Sequence, residues 1–197
     1  MTLLATLVWT PIGVYIGFRP KLARFMQPLC QIAASFPVNL TFPFVVGIFI
    51  AYNIDMDWGC ILLIALGTQW YILFNVIAVA MAVPSDMKEV ANNFGLTSAQ
   101  RWKKLILPAI FPYWVTGACT AAGGAWNASI VAELATWGKH SLRAQGLGSY
   151  IAEVTRDGQT AKIVASVGVM SLFVVLINKL VWRKLYALAS QKYKIEN

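Results

Sequence analysis

Charge is what this 197-residue chain has least of: 12% of its residues are Asp, Glu, Lys or Arg, against 58% hydrophobic. Soluble domains carry about 25% charged and about 45–50% apolar residues, so the composition excludes a water-soluble globule and indicates a membrane protein. Histidine occurs once, at His140, and the three cysteines, Cys30, Cys60 and Cys119, lie far apart, each in or beside an apolar run. Neither a zinc-ligand spacing nor a disulfide framework follows from them, so no metal and no cofactor is expected. No carboxylate pair stands at helical spacing within the apolar runs, and the Walker A pattern (G-x4-G-K-S/T) is missing. A membrane-embedded enzyme would need convergent nucleophile, base or metal ligands, and hydrolysis of ATP by this chain itself is not expected.

What the chain does have is long apolar runs. Five approach the ~20 residues that cross about 30 Å of hydrocarbon, at about 3–18, 29–51, 61–83, 109–134 and 163–182. The expected fold is an all-α membrane protein of about five transmembrane helices. The first run is short and has no basic segment before it, which argues against a signal peptide and suggests that the chain is N-terminally incomplete. Basic residues set orientation by collecting on the cytoplasmic side. Arg19, Lys21, Arg24, Lys88, Arg101, Lys103, Lys104, Lys179, Arg183, Lys184, Lys192 and Lys194 share one side of a five-span chain; Lys139, Arg143, Arg156 and Lys162 share the other. Twelve against four puts residues 84–108 and the C-terminus in the cytoplasm and residues 135–162 in a periplasmic loop. The net charge of +8 is thereby a matter of topology, and no nucleic-acid partner is needed to account for it.

Residues 84–108 form a polar island between two apolar runs. Met87, Val90, Ala91 and Phe94 recur at i, i+3, i+4 and i+7, one stripe of an amphipathic helix. Asp86 with Glu89 three residues on resembles a capping box, and Gly95 stands where a left-handed C-terminal residue is wanted. Thr97-Ser-Ala-Gln100 has the capping-box form of a second helix, and Trp102, Leu105 and Ile106 continue an apolar face. Pro108 lacks the N–H that would continue the ladder, so the helix is expected to end or kink there, with Pro112 in the first turn of the next span. By periodicity alone, an amphipathic loop resting on the membrane surface remains an equal reading.

Glu89-Val90-Ala91-x-x-x-Gly95-x9-Leu105-x-Leu107-Pro108 resembles the E-A-A-x3-G-x9-I-x-L-P signature of the permease subunits of bacterial binding-protein-dependent ABC importers. Glu89, Ala91, Gly95, Leu107 and Pro108 match outright; Val90 stands for Ala and Leu105 for Ile. The basic segment after the first span, the prolines of the second, and Trp126 with Val131-Ala-Glu133 give a looser similarity to the nitrate/sulfonate/taurine branch, including duplicated anion permeases of which this chain would be one half. The resemblance implies a type I importer permease with a cytoplasmic coupling-helix pair. Its ATPase-coupling residues would be Met87, Glu89, Val90, Ala91, Phe94, Gly95, Leu105, Leu107 and Pro108. It further implies cytoplasmic ABC ATPase subunits, a periplasmic or lipid-anchored substrate-binding protein facing the 135–162 loop, and a second permease unit in a homodimer or pseudo-dimer. The solute implied is a small anion such as nitrate, a sulfonate or bicarbonate. A channel or exchanger without an ATPase is the alternative, and it has no reason to carry such an island.

Within the spans, polar residues are the candidates for a translocation path: Asn39, Gln69, Asn75, Asn127 and Glu133. Ionisable residues inside spans usually face a bundle interior or water, although Glu133 also suits an interface position. Pro37 and Pro43 are expected to kink or break the second span. Gly117, Ala121 and Ala125, with Thr120 and Gly124 beside them, form the small-xxx-small pattern of closely packed membrane helices.

Overall fold

The computed structural model describes residues 1–137 and 139–193. Gly138 of the long loop and Lys194 of the C-terminal basic group lie outside the described residues. Backbone polar groups in hydrocarbon must be satisfied within their own segment, and the apolar runs accordingly fold as helices. These are α1 (Thr2–Gly17), α2 (Pro20–Ser35), α3 (Phe42–Ala51) and α4 (Met56–Ala82). After them come the short α5 (Ser85–Asn93) and α6 (Ser98–Arg101), then α7 (Leu107–Ala132). A hairpin of β1 (Leu134–Trp137) and β2 (His140–Arg143) precedes α8 (Leu147–Arg156), α9 (Thr160–Ile177) and α10 (Arg183–Lys192).

Among the described residues, three helices are long and apolar enough to cross a membrane: α4, the continuous helix Ser98–Ala132, and the continuous helix Thr160–Lys192. The last two are single helices because π-turns at Trp102–Ile106 and Asn178–Trp182 join their parts. α2 and Val38–Ala51, bent by 73°, pass the same test only as a pair, so the number of crossings is three, or four where the bent pair is one span. α1, at 16 residues, is shorter than a full crossing. The all-α membrane architecture is therefore as expected.

The break in the second crossing follows from Pro37. The residue before a proline is pushed out of the helical region, and Phe36 is extended (φ −69°, ψ 130°). Pro43 causes no break, since it stands in the first turn of α3, where the missing N–H costs nothing. α2 begins at Pro20, nine residues before the apolar run, so Lys21 and Arg24 lie on a helix and not in a loop. Pro112 is likewise inside α7 and not at its start.

The 135–162 segment is a second difference, because much of it is ordered into elements. β1 and β2 pair antiparallel, Leu134 opposite Arg143 and Ala135 opposite Leu142. α8 buries Gly148, Ser149, Ile151 and Val154, an apolar face too short for sequence periodicity to stand out.

α4 is the centre of the molecule. Ile72 and Val76 pack with Val14 of α1 and with Ile110, Ala118 and Ala121 of α7. On its other side Leu73 and Ile77 meet Ile16, Ala23 and Cys30. Near its first turns Cys60, Leu63 and Ile64 meet Phe42, Val46, Phe49 and Ala132. The small residues of α7 allow the approach: a Cβ on Gly117 would sit 2.9 Å from the Tyr71 carbonyl oxygen. The same device occurs in α1, where Gly13-x-x-x-Gly17 faces Val76 and Ala80. Trp114 Nε1 also donates to Thr6 Oγ1 at 3.2 Å, tying α7 to α1.

A Cβ at Gly17 would lie 2.6 Å from the Ala80 Cβ and 2.8 Å from the Ile77 oxygen. Gly17→Val is expected to destabilise the protein by roughly 1–3 kcal/mol, as overpacking does. Gly168→Ala, whose Cβ meets nothing within 4 Å, should stay within about 0.5 kcal/mol of wild type. Thermal unfolding of the two variants in detergent checks both.

Candidate coupling site

The end of the molecule where α5 meets α4 and α7 is built on one buried residue. Ala91 is 4% exposed and packs with Val83, Leu105 and Ala109, flanked by Phe18 and Leu96. Only a small side chain lets α5 lie so close to the ends of α4 and α7. With Ala91 turned inward, Met87, Val90 and Phe94 face outward, and Phe94 is 75% exposed. The Val90 departure from the signature falls on this exposed ridge, where extra volume meets no neighbour's core. Lys88 Nζ lies 4.8 Å above the Phe18 ring, a second fastening of α5 to α1.

The turn after α5 is closed by hydrogen bonds. Gly95 N–H donates to the Asn92 carbonyl and Leu96 N–H to the Ala91 carbonyl at 3.1 Å, the Schellman pairing of a helix C-terminus. It requires a left-handed residue, and Gly95 has φ +61°. Arg101 Nε then donates to the Leu96 carbonyl at 2.9 Å. The capping box of α6 is complete: Gln100 N–H donates to Thr97 Oγ1, and Thr97 N–H donates to Gln100 Oε1 at 2.9 Å. The one expected at Asp86 and Glu89 is not formed. α5 starts two residues earlier than a cap at Asp86 would place it, at Ser85, with Pro84 in the cap position and no side-chain cap. Asp86 lies in the first turn, where its charge still favours the helix dipole.

Pro108 does not end the helix. Leu107 N–H reaches back to the Trp102 carbonyl, a widened π-turn that relieves the clash of the proline ring with the preceding turn. The helix passes through it into α7.

Asp86, Met87, Val90, Ala91, Phe94, Leu96, Lys104 and Leu105 together line a groove of about 500 Å³. The structure thus brings Met87, Val90, Ala91, Phe94 and Leu105 to one place. Gly95 makes the turn beside it. Glu89 is exposed on α5 outside the lining, and Leu107 and Pro108 lie past the π-turn. Lys104, one of the basic residues counted for orientation, is a wall of the groove.

The five path candidates are not gathered in this way. Asn39 is exposed in the turn at the broken crossing, Gln69 is half-buried in α4, and Asn127 is exposed on α7. Asn75 donates to the Tyr71 carbonyl of its own helix at 2.8 Å. Glu133, at the far end of α7, accepts from Ser149 N–H at 3.0 Å in the first turn of α8. A Cβ at Gly146 or Gly148 would run into that carboxylate. Asp57, in the first turn of α4 and unnoticed in the sequence, accepts from Gln145 N–H at 2.6 Å. The two carboxylates thus hold one loop against the ends of α4 and α7 opposite the groove, and Arg143 closes on Glu153 at 3.1 Å behind it.

With this geometry in view, the comparisons with known proteins can be placed. The family model described as "binding-protein-dependent transport system inner membrane component" matches residues 10–190. The chain belongs to that family. It is similar to the nitrate import permease protein NrtB of Leptolyngbya laminosa, 26% identical over 179 residues, which are 91% of this chain and 61% of that protein. It is similar also to the bicarbonate transport system permease protein CmpB of Synechococcus elongatus, 24% identical over 83% of this chain and 56% of that one. The putative aliphatic sulfonates transport permease protein SsuC of Bacillus subtilis is 29% identical over 89% of this chain and 63% of its own length. The chain thus spans less than two thirds of these relatives. The match covers both the groove and α4–α7, so these elements belong to the family's shared part.

Two outcomes are expected of this site. Gly95→Ala should cost about 1–2 kcal/mol, the penalty of a Cβ in the left-handed region, read by thermal unfolding. Glu133→Ala should free the start of α8 and cost about 0.5–2 kcal/mol, as loss of a helix cap does. Glu133→Gln, which keeps an acceptor, should cost less, and amide exchange at residues 145–149 should rank the two variants in that order.

Proposed function

We propose that this protein is the transmembrane permease subunit of an ATP-driven importer of small anions, coupled to a cytoplasmic ATPase through α5, Gly95 and α6. The observation that carries the reading is the α5 ridge. A soluble-facing helix with Met87, Val90 and Phe94 exposed beside Glu89 is suited to helix-in-groove docking, in which an apolar face is buried and flanking charge sets register. Burying an exposed Phe is worth about 1.5–3 kcal/mol, enough for one residue to dominate such a contact. The family assignment and the E-x-A-x3-G pattern support the same partner.

ATP hydrolysis belongs to that separate subunit. The basic residues favour a cytoplasmic coupling end and C-terminus in the cell inner membrane, with the hairpin and α8 on the side of a substrate-binding protein. α9 supports a further partner or lipid around it, since only 11% of its most apolar window is buried. A second permease unit completes the path in this reading. The names of the relatives point to nitrate, bicarbonate or a sulfonate as solute, with the binding protein supplying much of the selectivity. Closure of the ATPase pair would draw the docked helices together, and α4 and α7 would carry that movement across the membrane.

The test is capture of an ABC ATPase from detergent-solubilised membranes, comparing wild type with Glu89→Lys and Phe94→Asp. Both side chains are exposed, so melting temperatures should be unchanged while capture falls by about tenfold or more, equivalent to roughly 1.4 kcal/mol of contact. Stable wild-type protein that captures no ATPase under crosslinking would sink the reading and favour a channel.

A further inference from the structure

The ends of α4 and α7 away from α5 carry one carboxylate each, and both are used on the same loop. Asp57, in the first turn of α4, accepts from Gln145 N–H at 2.6 Å. Glu133, one residue past α7, accepts from Ser149 N–H at 3.0 Å, and its own backbone carbonyl accepts from Ala144 N–H at 2.8 Å. Ser149 is fully buried and donates its hydroxyl back to the Ala144 and Gly146 carbonyls. Residues 144–149 are thereby bound to two spans that are far apart in sequence. The bonds that hold them are of the stronger, charge-assisted kind.

The loop is built around the Glu133 side chain. A Cβ on Gly148 would stand 2.8 Å from its Oε2 and 2.5 Å from the Ser129 carbonyl oxygen, and one on Gly146 would overlap the carboxylate. The two glycines form a socket that any side chain would fill. Apolar packing beneath the loop is small, with Ala135 and Ala144 buried alongside Met56 and Cys60. Arg143 of β2 pairs with Glu153 of α8 at 3.1 Å, so the hairpin and α8 are joined to each other as well as to the spans.

The same two helices lead to the other end of the molecule. α4 ends two residues before α5, and α7 continues from α6 through the π-turn. With 27 residues, α4 is about 40 Å long. A cap for α8 needs Glu133 alone; the second attachment, to α4, fixes the loop between the spans. A loop grasped by both helices registers their relative position, because a shift of one against the other lengthens one of the two bonds.

Resting on the reading of this chain as an importer permease with the hairpin and α8 on the binding-protein side, we infer that Asp57 and Glu133 are positioning residues for transport. Through residues 144–149 they make the surface offered to the binding protein depend on the spacing of α4 and α7, and so on the nucleotide state of the ATPase. By linkage the influence is reciprocal: a nucleotide that changes affinity for the binding protein has its own affinity changed by the same factor.

The test uses the permease assembled with its ATPase in proteoliposomes. The Kd of the binding protein, loaded in turn with nitrate, bicarbonate and a sulfonate, is measured with the ATPase nucleotide-free and with ATP trapped. The ratio of the two values is the coupling. Asp57→Ala and Glu133→Ala should each move it toward one by about fivefold or more, the low end of coupling between sites, with basal ATP hydrolysis unchanged. Glu133→Asp, one methylene shorter, withdraws the carboxylate from Ser149 and should act in the same direction. Asp57→Asn and Glu133→Gln keep an acceptor oxygen and should retain most of the coupling. A ratio unmoved in the alanine variants overturns the inference and leaves the carboxylates a structural role. So does a ratio that falls only together with basal hydrolysis, the sign of a damaged fold. Where Glu133→Ala does not assemble, Glu133→Asp and Asp57→Ala decide on the same terms. A wild-type complex that binds no ATPase or no binding protein would instead fail the importer reading itself.

Discussion

The close approach of α4 to α7 and α1 is the constraint on which the rest of this protein depends. Between helices in lipid there is no hydrophobic drive, because the tails are as apolar as the side chains, and association rests on packing. Packing is strongest where backbones come nearest, and this chain places glycine or alanine at those points: Gly13 and Gly17 from one side, Gly117, Ala118 and Ala121 from the other. The largest fully buried side chains include Leu63, Ile72, Leu73, Val76 and Ile77, all on α4. A helix enclosed in this way has little freedom of its own.

That rigidity is extended past both ends of the pair by short, hydrogen-bonded links. Two residues, Val83 and Pro84, separate α4 from α5, and Val83 is buried. The Schellman turn at Gly95, the capping box at Thr97 and the π-turn before Pro108 leave few unsatisfied backbone groups between α5 and α7. At the other end Asp57 and Glu133 hold the loop before α8. α9 is different: it follows a left-handed Gly158 and buries little of its surface within this chain.

Much of the coupling site was legible from sequence because its signals are local. The i, i+3, i+4, i+7 stripe, the glycine at a helix end and the T-x-x-Q box each depend on residues within one turn, and Gly95 and Thr97 act as their chemistry dictates. The misplaced features have nonlocal or competing causes. Asp86 is not the cap because Pro84 takes that position two residues earlier, and Pro108 does not stop the helix because a π-turn absorbs it. The role of Asp57 depends on Gln145, 88 residues away, and no spacing rule reaches so far. The G-x-x-x-G of α1 is a local signal of the close packing that Gly13 and Gly17 make against α4. The hairpin and α8 were hidden by brevity.

Polarity in the crossings makes a final point. Thr68, Asn75, Thr116, Thr120, Ser166 and Ser171 each donate to a carbonyl four residues back on their own helix. These bonds need no neighbouring helix, and among the described residues the links between spans are few, such as Trp114 to Thr6 and Thr68 to Met1. The buried faces of α4 and α7 are correspondingly apolar or small. Polar groups that are already satisfied can nevertheless stand at a surface wetted by water, at little cost to the helix that bears them. Glu133, the ionisable residue at the end of the fourth apolar run, accepts instead from the first turn of α8 and holds it in place.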